Sequence, residues 1–194
     1  MPGTRTVPRA GLSEDRVVEE AELLADEGAP VTLVELARRL GVQVPSLYKH
    51  VAGAADLQRL VSIRAKNELG DILARATVGK AGPDAVAALA SAYRDWAVAH
   101  PGRYASTLRA PDDGDPLDVA ASSRAIQIIF DALAGYGLVD RDAIDATRIF
   151  RATLHGFVAL DAAGAFALPG LDRSFARLIA VLTLSLDQWP SLTI

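Results

Sequence analysis

The segment that most constrains this chain is 32–50, TLVELARRLGVQVPSLYKH, where two short apolar patterns at helical spacing flank a single glycine. Leu33, Leu36, Ala37 and Leu40 form the first pattern, and Val42 and Leu47 belong to the second. Thr32 and Glu35 have the spacing of a capping box, the threonine hydroxyl accepting from the amide three residues on while the glutamate reaches back. Gly41 stands where a left-handed residue ends a helix. Pro45 falls in the first turn of the next helix, where a missing amide proton costs little. A pair of short helices joined through a glycine turn makes a helix-turn-helix, a unit that lays its second helix in the major groove of DNA.

The remaining sequence is consistent with an all-α chain. It has no sustained apolar/polar alternation and no Asn-Gly or Asp-Gly hairpin, and it is rich in Ala and Leu. Further helices are expected at 13–28 with Ser13 as N-cap, at 54–78, and at 83–99, 101–109, 115–135, 141–166 and 171–188. They are separated by GKAGP, HPG, APDDGDP, GYG and LPG. This divides the chain into an arm at 1–12, a three-helix helix-turn-helix domain at 13–65 and a helical domain at 66–194, with the boundary inside the long helix.

The net charge of −4 is unevenly spread. Residues 32–66 hold Arg38, Arg39, Lys49, Arg59, Arg64 and Lys66 against only Glu35 and Asp56, whereas 13–28 carry seven acidic residues and one arginine. Local charge, more than the sum, decides whether phosphate is approached. The chain has no cysteine, so disulfides and thiolate sites are excluded, in keeping with a reducing, cytoplasmic setting. Its longest run without Asp, Glu, Lys or Arg is ten residues, Ala162 to Leu171, too short to cross a bilayer, and the N-terminus lacks an apolar leader pattern. No membrane partner is expected.

The hairpin's apolar residues leave Gln43, Val44, Pro45, Ser46 and Lys49 pointing outward. Gln reads adenine in two bonds, Lys reads guanine or binds phosphate, and Val or Pro meets a thymine methyl. From pattern alone, a solvated helical hairpin fits these residues too. The stretch TLVELARRLGVQVPSLYKHVAGAADL, however, resembles the DNA-binding domain of the TetR family of bacterial transcriptional regulators, with its capped helix, Leu-Ala, Gly-Val, Leu-Tyr-x-His, short loop and long helix. The resemblance spans about residues 13–65. It implies a phosphate contact at Thr32, where a helix N-terminus favours an anion, and groove-facing positions at Gln43, Pro45, Ser46 and Lys49. It also implies backbone clamps at Tyr48 and His50. The chain departs from the family pattern at Val51, usually Phe, and at Ala54, usually Lys, which removes one phosphate contact. Arg5 and Arg9 in the arm offer a minor-groove substitute, and a plain tail is the alternative.

Beyond residue 66, YRDWAVAHPGRY and LHGFVALDAAGAF are similar to a subgroup of TetR regulatory domains with Trp, His and Gly signatures, which implies an unknown small-molecule effector and a homodimer. FARLIAVLTLSL at 175–186 is apolar on nearly every face and calls for burial on all sides. A four-helix interface across a two-fold axis would supply it through Phe157, Leu160, Phe175, Leu178, Ile179, Leu182 and Leu186, and a wholly intramolecular core is the alternative. Candidate pocket residues are Tyr93, Trp96, Tyr104, Gln127, Phe130, Arg151, His155 and Asp161, although aromatics at helical spacing serve a core equally well. The three histidines, 50, 100 and 155, lack paired ligand spacing, and no nucleophile elbow or phosphate loop occurs. No catalytic residue, metal or cofactor is therefore assigned. The expected function is an operator-binding repressor released by an effector, with an all-helical enzyme as the alternative.

Overall fold

The structure, a computed structural model, describes residues 11–191. Arg5 and Arg9 lie outside the described residues. The described chain is all-α: α1 Glu14–Asp26, α2 Leu33–Leu40, α3 Val44–Leu47, α4 Ala54–Thr77, α5 Gly82–Ala99, α6 Pro101–Thr107, α7 Pro116–Leu133, α8 Asp140–Ala162 and α9 Leu171–Asp187. Short 3-10 turns follow α7 and α9. Two compact units result, one up to Val61 and one from Ser62, so α4 contributes to both; the sequence reading put the boundary four residues later in that helix.

In the N-terminal unit, Ser13 caps α1 by accepting from the Arg16 amide at 3.3 Å. Val17, Val18, Ala21 and Leu24 of α1 share one core with Leu36, Ala37, Leu47, Val51, Leu57 and Val61. Val51 fills its place in that core, being only 2% exposed. Arg39 on α2 bonds to Glu20 at 3.3 Å and to Glu27, fastening α2 to α1. Gly41 ends α2 with φ 67°. Its amide bonds to Arg38 O at 3.3 Å and the Val42 amide to Ala37 O at 3.0 Å, the paired bonds of a Schellman motif.

In the C-terminal unit α5 is central, packing against α6, α7, α8 and α9. Its Val86, Leu89, Tyr93 and Trp96 are buried with Leu69 and Leu73 of α4, Phe150 and Leu154 of α8, and Phe175 and Leu182 of α9. Helix α8 is expected to reach residue 166 but ends at Ala162. Gly164, at φ 65°, sends the chain away, with the Ala165 amide bonded to Leu160 O at 2.9 Å. Phe166 thereby leaves the helix and packs on Phe157, ring centroids 4.9 Å apart.

The interface residues expected from sequence divide. Phe157, Phe175, Leu182 and Leu186 are buried in the chain's own core, and Leu178 and Ile179 are half-buried against it. Only Leu160 among them faces outward. The reason is the helical period: α9 turns Phe175, Leu182 and Leu186 inward, which places Ala176, Ala180, Val181 and Leu184 on the other side, all exposed.

Candidate nucleic-acid interface and internal cavity

Thr32 is the N-cap of α2, its hydroxyl oxygen accepting from the Glu35 amide at 3.2 Å, so the hydroxyl proton remains for an outside acceptor. The reciprocal half of the capping box is not made. Thr32 N donates to Pro30 O at 3.0 Å, and the Glu35 carboxylate takes two bonds from Arg38, at 2.6 and 2.9 Å. The Arg38 hydrogen bonds outweigh desolvation and hold Glu35 below the usual carboxylate range.

Helix α3 is only four residues long, with Gln43 as N-cap, Pro45 in its first turn and Tyr48 as C-cap. Leu47, fully buried, anchors it. Gln43, Pro45, Tyr48 and Lys49 are exposed, Tyr48 to 58%, while Val44, Ser46 and His50 are half-buried, Val44 against the core. The amides of His50 and Val51 both return to Leu47 O, at 2.8 and 3.0 Å, so Lys49 and His50 sit on a tight turn beyond the helix. The local basic charge read from the sequence is largely matched internally: Arg38 by Glu35, Arg39 by Glu20 and Glu27, Arg59 by Asp56, and Lys66 by Asp118. Lys49 makes no ion pair among the described residues. An exposed row of amide, phenol and ammonium groups flanking a short, anchored helix is suited to a groove lined by phosphate and base edges.

The C-terminal unit holds a partly open cavity of about 320 Å³, whose rim includes the exposed residues Leu108, Arg109, Asp113 and Arg151. Leu69 and Leu73 of α4 line it, with Leu108, Val119, Ile126 and Ile129, and so do Lys66, Tyr93, Arg109, Ser122 and Arg151. Behind this wall lies Asp118, fully buried, which accepts from Lys66 Nζ at 2.7 Å, from Arg109 and from the Asp112 amide at 3.3 Å. Burial would raise its carboxyl. The bonds from Lys66 and the Asp112 amide, with the charges of Lys66 and Arg109, overcome that and leave it below the ordinary value.

Of the eight expected pocket residues, Tyr93 and Arg151 line the cavity. Two more stand behind Tyr93 in a hydrogen-bonded chain, Tyr93 OH to Tyr104 OH at 2.8 Å and Tyr104 OH to His155 Nδ1 at 2.6 Å. Burial raises both phenols, that of Tyr104 furthest. With Nδ1 as acceptor, both phenol protons point toward His155; with Nδ1–H as donor, the order reverses and Tyr93 offers its proton to the cavity. The other four are elsewhere: Trp96 in the core, Phe130 half-buried, Gln127 exposed and bonded to Asp131 at 2.9 Å, and Asp161 paired with Arg94 at 3.4 Å. Sequence reasoning missed Lys66, Asp118, Arg109 and Ser122. The available signal was Ser62 and Lys66 standing within the otherwise apolar stripe Val61, Ala65, Leu69 and Leu73 of α4.

Comparison with known proteins accounts for both units. Residues 86–182 match the model of the tetracyclin repressor-like C-terminal domain. The chain is 36% identical over 182 residues to an uncharacterized HTH-type transcriptional regulator of Mycobacterium tuberculosis, covering 92% of this chain and 84% of that one. Among solved structures, a protein of unknown function from Rhodococcus sp. RHA1 superposes with a TM-score of 0.77 at 24% identity, over 95% of this chain and all of that one. The Streptomyces coelicolor TetR family protein ActR, solved in complex with (S)-DNPA, superposes with a TM-score of 0.64 at 18% identity, over 93% and 99%. The chain belongs to the TetR family of HTH-type transcriptional regulators.

Proposed function

We propose that the protein is a homodimeric repressor that binds an inverted-repeat operator through α3 and leaves it when a small molecule fills the cavity of the C-terminal unit. The observation that carries this reading is the ridge around α3: Pro45 in the helix, Gln43 and Tyr48 at its two caps and Lys49 on the turn beyond it all stand exposed, while Leu47 is fully buried. In this reading Gln43, Val44, Pro45, Ser46 and Lys49 meet base edges, and Thr32, Tyr48 and His50 hold the backbone on either side of the groove.

One short helix reads too few base pairs to specify a site, so such readers act as dimers on symmetric half-sites. The outward face of α9 supports a partner, because Val181 and Leu184 are 62% and 56% exposed, and Leu160 on α8 is 48% exposed. Apolar side chains exposed in this way on neighbouring turns mark an interaction surface. That ActR, of the same fold, was solved with a bound small molecule supports a small-molecule ligand for this chain, and the cavity of the C-terminal unit is the space for it. Release then requires the ligand to favour a state of the protein with lower affinity for DNA, and the coupling is reciprocal.

Electrophoretic mobility shift with the operator, alongside light scattering, tests the DNA face. Tyr48→Ala and Lys49→Ala are expected to lose operator binding while keeping the oligomeric state of the parent. Retained binding in both variants would remove α3 as the reading element.

A further inference from the structure

We infer that the ligand of the C-terminal cavity is an amphipathic organic acid, its apolar body against Leu69, Leu73, Ile126 and Ile129 and its anionic group held at Arg151. This rests on the reading of the cavity as an effector site. Most of the wall is aliphatic, which favours a hydrocarbon chain or ring. Among the polar groups, Lys66 and Arg109 share a single carboxylate, Asp118, and Arg151 makes no ion pair or hydrogen bond among the described residues. Asp113 on the exposed loop after α6 is the one carboxylate in the lining, so cations outnumber carboxylates at this wall. Arg151 lines the cavity, and its charge opposes the burial that raises the Tyr93 and Tyr104 phenols. Ser122 Oγ is buried and has no hydrogen-bond partner, although it lines the same cavity. Arg151 is exposed at the rim of the cavity, so a neutral hydrocarbon would leave its charge to water and Ser122 unmatched, and an organic cation would be repelled. An anion answers both groups, and the Nδ1–H order of the His155 chain adds a third donor at Tyr93.

The full-length protein is titrated by calorimetry with decanoate and naphthoate, with the amide of each as neutral isostere and decylamine as cation. The acid is expected to bind at least roughly tenfold more tightly than its amide, the scale of a charge-assisted hydrogen bond, and the amine not at all. In Arg151→Leu the acid-to-amide ratio is expected to collapse toward one, and Arg151→Lys to keep part of it. Should Arg151→Leu fail to fold by circular dichroism, the wild-type series and the lysine variant still decide the matter. Equal affinity for acid and amide, tighter binding of the amine, no binding of either acid, or an unchanged ratio in Arg151→Leu would overturn the inference. The same ligands are added to the protein–operator complex in a mobility shift. Acids that bind selectively yet leave DNA bound would refute the effector reading and leave the ligand class standing.

Discussion

Asp118 stands between two helices and a loop, taking Lys66 from α4, Arg109 and the Asp112 amide into one fully buried carboxylate. Removing one partner of such a pair strands the other charge in a medium that solvates it poorly. Asp118→Ala, which leaves Lys66 only 4% exposed and unmatched, is therefore expected to cost about 3–5 kcal/mol in urea unfolding. Replacing both, as Lys66→Met with Asp118→Leu, should recover much of that, because no buried charge is stranded: Arg109, 42% exposed, turns to water, and the Asp112 amide is the donor that loses its acceptor. If Asp118→Ala alone is neutral, the pair carries no structural role. The sign of the pH effect follows from the lowered carboxyl: its stabilisation is present above the ordinary value of 3.8 and is lost as pH falls through the native value. Acid unfolding of Asp118→Ala should accordingly be less steep than that of the parent.

The hairpin and the last helix show what a sequence does and does not reveal about an element. Thr32, Gly41 and Pro45 mark the ends of α2 and the start of α3 because capping and left-handed turns are local, and each stands where the sequence reading put it. Glu35 does not reach back as expected, since Arg38 one turn on offers it a charged donor. The face of α9 was not legible for a different reason. Its apolar residues surround the helix, and the packing of α5 and α8 against it selects Phe175, Leu182 and Leu186 for the core. The cavity was legible at Tyr93 and Arg151 but not at Lys66 and Asp118, whose pairing joins residues 52 apart. The two faces of α9 predict opposite failures. Leu182→Glu should unfold the C-terminal unit, as a charge buried without a partner, whereas Leu184→Glu should stay helical and run as a monomer in light scattering. A folded Leu182→Glu, or a dimeric Leu184→Glu, would reverse the assignment of the faces. At the turn, Gly41→Ala is expected to cost about 1 kcal/mol in thermal unfolding, the penalty of a side chain in the left-handed region, and no change would mean that the turn relaxes to another shape.

At the scale of the molecule, charge is arranged by position and not by total. The described residues of the N-terminal unit include more acidic than basic side chains, and the acid is concentrated on α1, away in sequence from Thr32 and the α3 ridge. In the proposed reading the DNA then meets few charged groups, and Lys49, set against the base edges, is the cation brought into the groove beside the α3 helix. In Lys49→Ala, any residual DNA binding should show a salt slope lower by about one per protomer, and an unchanged slope would place the counterion release elsewhere. The central claim is that two copies of this chain read a symmetric site through α3. Selection of bound duplexes from a random DNA pool tests it most directly. The account predicts enrichment of an inverted repeat with half-sites about one helical turn apart, or a multiple of it; recovery of no enriched sequence, or of a single asymmetric site, would contradict it.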